Sequence, residues 1–329
     1  MTNIFIKPIY YLIQESEKIR ICDTLFIKKE NVINILINKF DIDGLSRISK
    51  WISSYEEANV FAIQYSNRKK EDVVTEIENA LSILSFSNLG YDKRSLCRRN
   101  PIMDKSDIIY NKLIVLSPDT KNGSKQEFLK GTIDSLYLDS RWKKFHQNNF
   151  WLKLIEIINK ETSINDTWRN QLKKASIIAG KSQQVYDRIY AFLLNMITLE
   201  ILLTQRNEKE SIEIPKRINT LIGWHEQWSN DNYISKIQEI YDKRCKFVHE
   251  GDLNSITVND LLFSDEIVFN VFNNLVNNID IIQGIDDLKK LTEKVEAAEL
   301  LKEKIGEINI RPPFVFVTRE YSAKDKIGL

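Results

Sequence analysis

Apolar positions along the chain keep two different rhythms. Over the first 120 residues, short β-branched and aromatic runs, NIFIKPIYYLI, DTLFIKK and NKLIVLS, are interspersed with segments of helical period, ENVINILINKF and EDVVTEIENALSILSF. That mixture predicts a small α+β domain. Two stretches rich in turn formers and charges, SLCRRNPIMDKSD and SPDTKNGSKQ, then place a boundary near residues 118 to 135. From about residue 145 a period of 3.6 takes over, and FWLKLIEIIN, DTWRNQLKKASIIAG and YDRIYAFLLNMITLEILLTQ read as successive helices. The expected architecture is multidomain: a small α+β domain over 1–125, an all-α helical bundle over 135–284, and a C-terminal helix with an extended tail over 285–329.

Individual helices carry finer expectations. In the third, Tyr186, Ile189, Leu193, Met196, Ile197 and Leu203 predict one apolar stripe, with Glu200 lying on it. PKRINTLIGWHEQW opens on Pro215, which suits a first helical turn. SKIQEIYDKRCKFVHEG sets Ile237, Ile240, Tyr241, Arg244, Phe247 and Val248 along one face, with Gly251 placed to end the helix. Ser264 is the expected N-cap of SDEIVFNVFNNLVNNIDIIQG, whose apolar face runs through Ile267, Val268, Val271, Phe272, Leu275, Ile279 and Ile282. DDLKKLTEKVEAAELLKEKIGE reads as a charged helix, and RPPFVFVTREY as a short extended piece that Pro312 and Pro313 keep out of a helix.

Composition narrows the chemistry. Lys plus Arg number 47 against 46 for Asp plus Glu, a formal charge of +1, so no overall positive field draws the protein to nucleic acid. Any such contact must be local, and the available basic groups are Lys243, Lys246 and Arg188, with a second cluster at Lys93, Arg94, Arg98 and Arg99. Cys22, Cys97 and Cys245 form an odd, scattered set without a CxxC pair, which argues against a disulfide framework or zinc knuckle and fits a reducing cytosol. The N-terminus lacks a basic segment followed by a cleavage site, and no uncharged apolar run reaches membrane-spanning length, so a cytoplasmic protein without a membrane partner is expected. There is no metal-ligand spacing, phosphate-binding glycine loop or nucleophile elbow, so no metal and no cofactor is expected. His146 and His225 stand alone and read as structural.

Arg244 sits on an apolar helix face, where a guanidinium is costly without a carboxylate partner; Glu200, also on an apolar stripe, is the expected one. His249 lies at the C-terminus of the same helix, where the dipole favours an imidazolium. Five helical steps rotate a side chain by about 140°, so Arg244 and His249 cannot face one groove from a single regular helix. A second copy related by a two-fold axis, or a frayed helix end, would bring such groups together.

The segment IYDKRCKFVHEG, preceded by a long helix carrying Leu199 and Glu200, resembles HEPN domains, especially the Apea-like HEPN family, whose pattern is Arg, four to six residues, then His. The order of RNQLKKASIIAG, RIYAFLLNMITLEILL, a variable helix, the motif helix and a closing helix is similar as well, over roughly 145–283. The resemblance implies a HEPN-like bundle and a metal-independent endoribonuclease with its site at a homodimer interface. It implies His249 as acid/base, Arg244 as phosphate clamp, Glu200 as acidic partner, and Tyr241, Asp242 and Cys245 as motif neighbours. Where the family commonly has Asn, Asp or His after the arginine, this chain has Cys245. The implied partner is RNA, tRNA included, in a bacterial antiphage or toxin setting where the first domain senses a phage-derived or cellular trigger. RNA carries its own nucleophile in the 2′-OH, so such cleavage needs only a base and a cation. A non-catalytic HEPN dimerisation or ligand-binding scaffold, and a plain helical interaction protein using residues 286–306, remain as alternatives.

Overall fold

A computed structural model describes residues 3–40, 42–91, 135–185, 187–225, 233–252, 255–301 and 312–317. The NKLIVLS run, the two turn-rich stretches with the boundary drawn through them, the Lys93 to Arg99 cluster and Tyr186 lie outside the described residues.

Four strands, β1 (Asn3–Ile9), β3 (Lys18–Ile21), β4 (Thr24–Lys28) and β5 (Val60–Ser66), form an antiparallel sheet in the order β1-β5-β4-β3. The short β2 (Leu12–Gln14) instead pairs in parallel with β6 (Leu136–Leu138). β5 is central, and its neighbouring residues serve opposite faces. Phe61 and Ile63 join Ile27 in a satellite core under α1 (Val32–Leu36) and α2 (Ile42–Ser53). Val60 and Ala62 join Phe26 in the main core, against α3 (Lys70–Phe86).

The chain continues through α4 (Ser140–Gln147), α5 (Trp151–Ile158), α6 (Asp166–Gln184), α7 (Arg188–Leu203), α8 (Glu210–Ile222), α9 (Tyr233–Glu250), α10 (Val258–Asn277) and α11 (Ile285–Leu300). One hydrophobic core runs from Phe26 on the sheet through α3 to Phe269 and Phe272 on α10. α3 is the shared wall. Phe86 meets Phe272 edge-on at 4.6 Å, and the Trp151 and Trp142 indoles donate to the Ile83 carbonyl and Ser87 Oγ at 3.1 Å each. Its crossing with α6 is close enough that a Cβ on Gly180 would lie 1.8 Å from the Ser82 carbonyl oxygen.

Several local expectations need correction. α8 begins at Glu210, five residues before Pro215, because Glu210 and Glu213 favour the positive end of the helix dipole and Ile214 extends the buried face upstream. Pro215 is thus a buried interior residue. α10 begins at Val258, capped by Thr257 in a reciprocal box with Asp260; Ser264 lies inside the helix, buried, donating to the Leu261 carbonyl and accepting from Asn195. On α7 the buried face passes through Phe192, Asn195, Met196, Leu199 and Leu202, leaving Ile197 exposed, because α6, α8 and α10 enclose the helix from several sides. Val248, at the far end of the α9 stripe, is 53% exposed. Among the described residues no helix is long and apolar enough to cross a membrane.

Candidate functional site

α9 carries the arginine and histidine, and its regular winding ends at Gly251, whose positive φ of 71° suits a glycine and whose N–H donates to the Phe247 carbonyl at 3.0 Å. Ile237, Ile240 and Tyr241 anchor the helix in the core. The Tyr241 hydroxyl donates to Glu210 Oε2 on α8 at 3.0 Å. One turn further on, the Arg244 guanidinium lies 5.7 Å from the Tyr241 ring centroid, and its Nη2 meets Glu200 Oε1 on α7 at 2.7 Å. Both side chains are largely enclosed, at 19% and 15% exposure, so this is a desolvated pair and not a surface one.

Electrostatics in this cluster follow from burial. Desolvation pushes the Glu200 carboxyl up, against the pull of Arg244 and with added repulsion from Glu210. Burial also drives the Tyr241 phenol far above its ordinary range, reinforced by its hydrogen bond to Glu210. Arg244 is held cationic by Glu200 in spite of burial, which acts the other way. The result is a guanidinium paired with one carboxylate beside an aromatic ring whose hydroxyl is held by a second carboxylate.

The chain matches no family model, no curated protein and no solved structure.

The structure brings Arg244, Glu200 and Tyr241 together and adds Glu210, which nothing in the sequence singled out: it lies 31 positions before Tyr241, and only the packing of α8 on α9 brings it to the Tyr241 hydroxyl. His249, Lys246 and Asp242 are exposed on α9, and Cys245 is half-buried against the core. His249 follows Arg244 by five residues on unbroken helix, so the two side chains leave the axis in directions about 140° apart. Lys243 is committed elsewhere. It pairs with Asp260 at 2.9 Å and Glu239 at 2.8 Å, and although burial alone would lower its pKa, these bonds together raise it. Arg188 opens α7, twelve residues or about 18 Å of helix axis from Glu200. His146 is buried among the rings of Trp142, Phe145 and Trp151 at 4.7, 5.0 and 5.5 Å, and His225 lies 4.4 Å from Phe316.

A second polar cluster, unforeseen from the sequence, lies where the β3–β4 turn meets α3 and α6. Cys22, Asp23, Gln64, Glu76 and Lys173 line a small cavity there. Its groups largely satisfy one another: Thr24 donates to Gln64, Gln64 to Glu76 at 2.7 Å, and Arg68 forks onto Glu76. Burial pushes the Cys22 thiol up against the opposing charge of Lys173. Among the described residues no three His, Cys, Asp or Glu side chains are grouped so as to hold a metal ion.

Proposed function

We propose that this chain is a metal-independent endoribonuclease of the HEPN type, cytoplasmic and dimeric, acting on RNA such as tRNA, with the N-terminal α+β region sensing a trigger in a bacterial antiphage or toxin system. The observation that carries the reading is the enclosed pair of Arg244 with Glu200 of α7, Arg244 lying on the helix whose last turn exposes His249. An arginine oriented by a carboxylate and a solvent-facing imidazole are the two groups that RNA cleavage requires of a protein.

In this mechanism His249 takes the proton of the ribose 2′-OH, the 2′ oxygen attacks phosphorus, and the P–O5′ bond breaks as the O5′ oxygen takes up a proton from water, His249 later returning its own to solvent. The products are a 2′,3′-cyclic phosphate and a 5′-OH end. Arg244 meets the negative charge that builds on the phosphorane oxygens. Glu200 aims the guanidinium and also competes with the phosphate for it, so substrate must displace or share that contact. Because Arg244 and His249 diverge on one helix, a second copy apposed across the end of α9 supplies the complement. The exposed Val248 beside His249 offers apolar surface for such pairing.

The test is incubation of total bacterial RNA with wild type, Arg244→Ala and His249→Ala in EDTA, with end-group analysis. Cutting by wild type alone, with cyclic phosphate ends, supports the ribonuclease. Cutting that survives His249→Ala overturns it, and inert wild type that stays inert during phage infection favours the scaffold reading, in which the Arg244–Glu200 pair only joins α9 to α7.

A further inference from the structure

α7 carries apolar residues on every side, a pattern that goes with burial on every side. Its only charged residues are Arg188 at its start and Glu200, which is held by Arg244. Phe192, Asn195, Met196, Leu199 and Leu202 are buried where α6, α8 and α10 pack on the helix, yet the opposite face is open. There Tyr190 is 59% and Ile197 38% exposed, and Leu194 and Ile201 are half-buried. These four fall at steps of four, three and four residues, the spacing of a coiled-coil seam, and none of them is charged.

The occupant that fits this face is a second copy of the same helix. Reversed about its midpoint, the spacing maps onto itself: Leu194 meets Ile197 of the second copy, and Tyr190 meets its Ile201. Charge agrees with that direction. Asp187 is exposed at the start of α7 and Arg206 is exposed just past its end, and among the described residues neither makes an ion pair. Antiparallel pairing brings each Asp187 toward the other copy's Arg206, and sets opposite ends of the two helix dipoles together, whereas parallel pairing would align like charges.

We propose that the Tyr190, Leu194, Ile197 and Ile201 stripe is a self-association seam, in which α7 packs antiparallel on α7 of a second copy about a two-fold axis between Leu194 and Ile197. The seam stands independently of the ribonuclease reading, and only its consequence for the site rests on that reading. Glu200 is one residue, or about 100° of helix, from Ile201, so it lies on one flank of the seam. The two-fold axis turns both Arg244–Glu200 pairs to the same side of the dimer, about 14 Å apart along the helices, where they flank one groove.

The test is sedimentation of the full-length protein at tens of micromolar, with cleavage of total RNA measured separately. Wild type should sediment at twice its chain mass of 38.6 kDa. Ile197→Asp sets two carboxylates against each other beside the axis and should weaken the dimer at least about hundredfold while the helical circular-dichroism signal is kept. Tyr190→Asp, at the more exposed position, serves in its place should that variant fail to fold. Direction is read in a chain whose Cys22, Cys97 and Cys245 are replaced by serine: Tyr190→Cys and Ile201→Cys should cross-link to each other when mixed, and neither to itself. A monomeric wild type, a dimer indifferent to both aspartates, or Tyr190→Cys cross-linking to itself overturns the proposal. A seam-dependent dimer that leaves RNA uncut upholds it and counts against the ribonuclease alone, whereas a monomer that cuts RNA overturns the seam and leaves the chemistry.

Discussion

At the scale of single residues, charges that the packing has enclosed set the terms for any experiment. Arg217 is 1% exposed, bonded to the Leu203 carbonyl, to Glu208 at 2.6 and 2.9 Å and to Glu213 at 3.2 Å, while Lys289 reaches Glu208 at 2.7 Å. Hydrogen bonding from Arg217 first, and from Lys289 with it, holds the Glu208 carboxyl down to about 2 against the opposing effect of burial. A carboxyl whose folded pKa is depressed contributes stability above its unfolded pKa and loses it as pH falls through the folded value. Glu208→Gln should therefore cost about 3–5 kcal/mol near pH 7, the penalty for breaking an enclosed pair, and the gap from wild type in urea unfolding should shrink between about pH 4.5 and 2. The same reasoning separates the two motif residues. Arg244→Ala strands Glu200 in its enclosure and should destabilise the fold, whereas Arg244→Met/Glu200→Leu should unfold at higher urea than Arg244→Ala alone. His249→Ala removes an exposed side chain and should shift stability by about 0.5 kcal/mol or less, so a loss of RNA cleavage there reports chemistry. Arg244's need for a carboxylate is legible from its place on an apolar stripe; Glu210's bond to the Tyr241 hydroxyl is not, because contacts between helices leave no local signal.

Among elements, two junctions bear most on how the fold is held. Gly180→Ala would drive a methyl into the Ser82 carbonyl, and backbone cannot yield as a flexible side chain would. The α3–α6 crossing must open, at a cost of about 1–3 kcal/mol or more, visible as a lowered Tm. Thr257→Ala removes one half of the box at the start of α10 and should cost about 1 kcal/mol by denaturant unfolding. Helices with strong 3.6 periodicity, such as α3, α5, α6 and α7, were readable in advance as elements. The central strand β5, VFAIQYS, gives no alternating signal in the sequence, because a strand buried on both faces shows a nearly continuous apolar run. The starts of α8 and α10 are hidden for a related reason: Pro215 and Ser264 have strong local preferences as helix openers, and burial of both inside longer helices overrides them.

For the whole molecule, the main core passes without a break from the sheet through α3 into the bundle, so the N-terminal region and the helices share a hydrophobic wall. α3, which carries the sheet on one side, packs directly against α6 on the other. The amino-acid sequence by itself determined a mixed α+β start, a run of helices from about residue 145, and an arginine on an apolar stripe that needs an acidic partner, because these are consequences of periodicity and desolvation that a local window contains. Only the tertiary structure decided that Glu200 and Glu210 converge on Arg244 and Tyr241, that Lys243 is spent on Asp260, and that two asparagines on α10 grip the tail. Those are contacts between residues 17 to 47 positions apart, and the physical reason they escape the sequence is that backbone geometry sets which faces meet, while a side chain's own chemistry says only that it needs some partner.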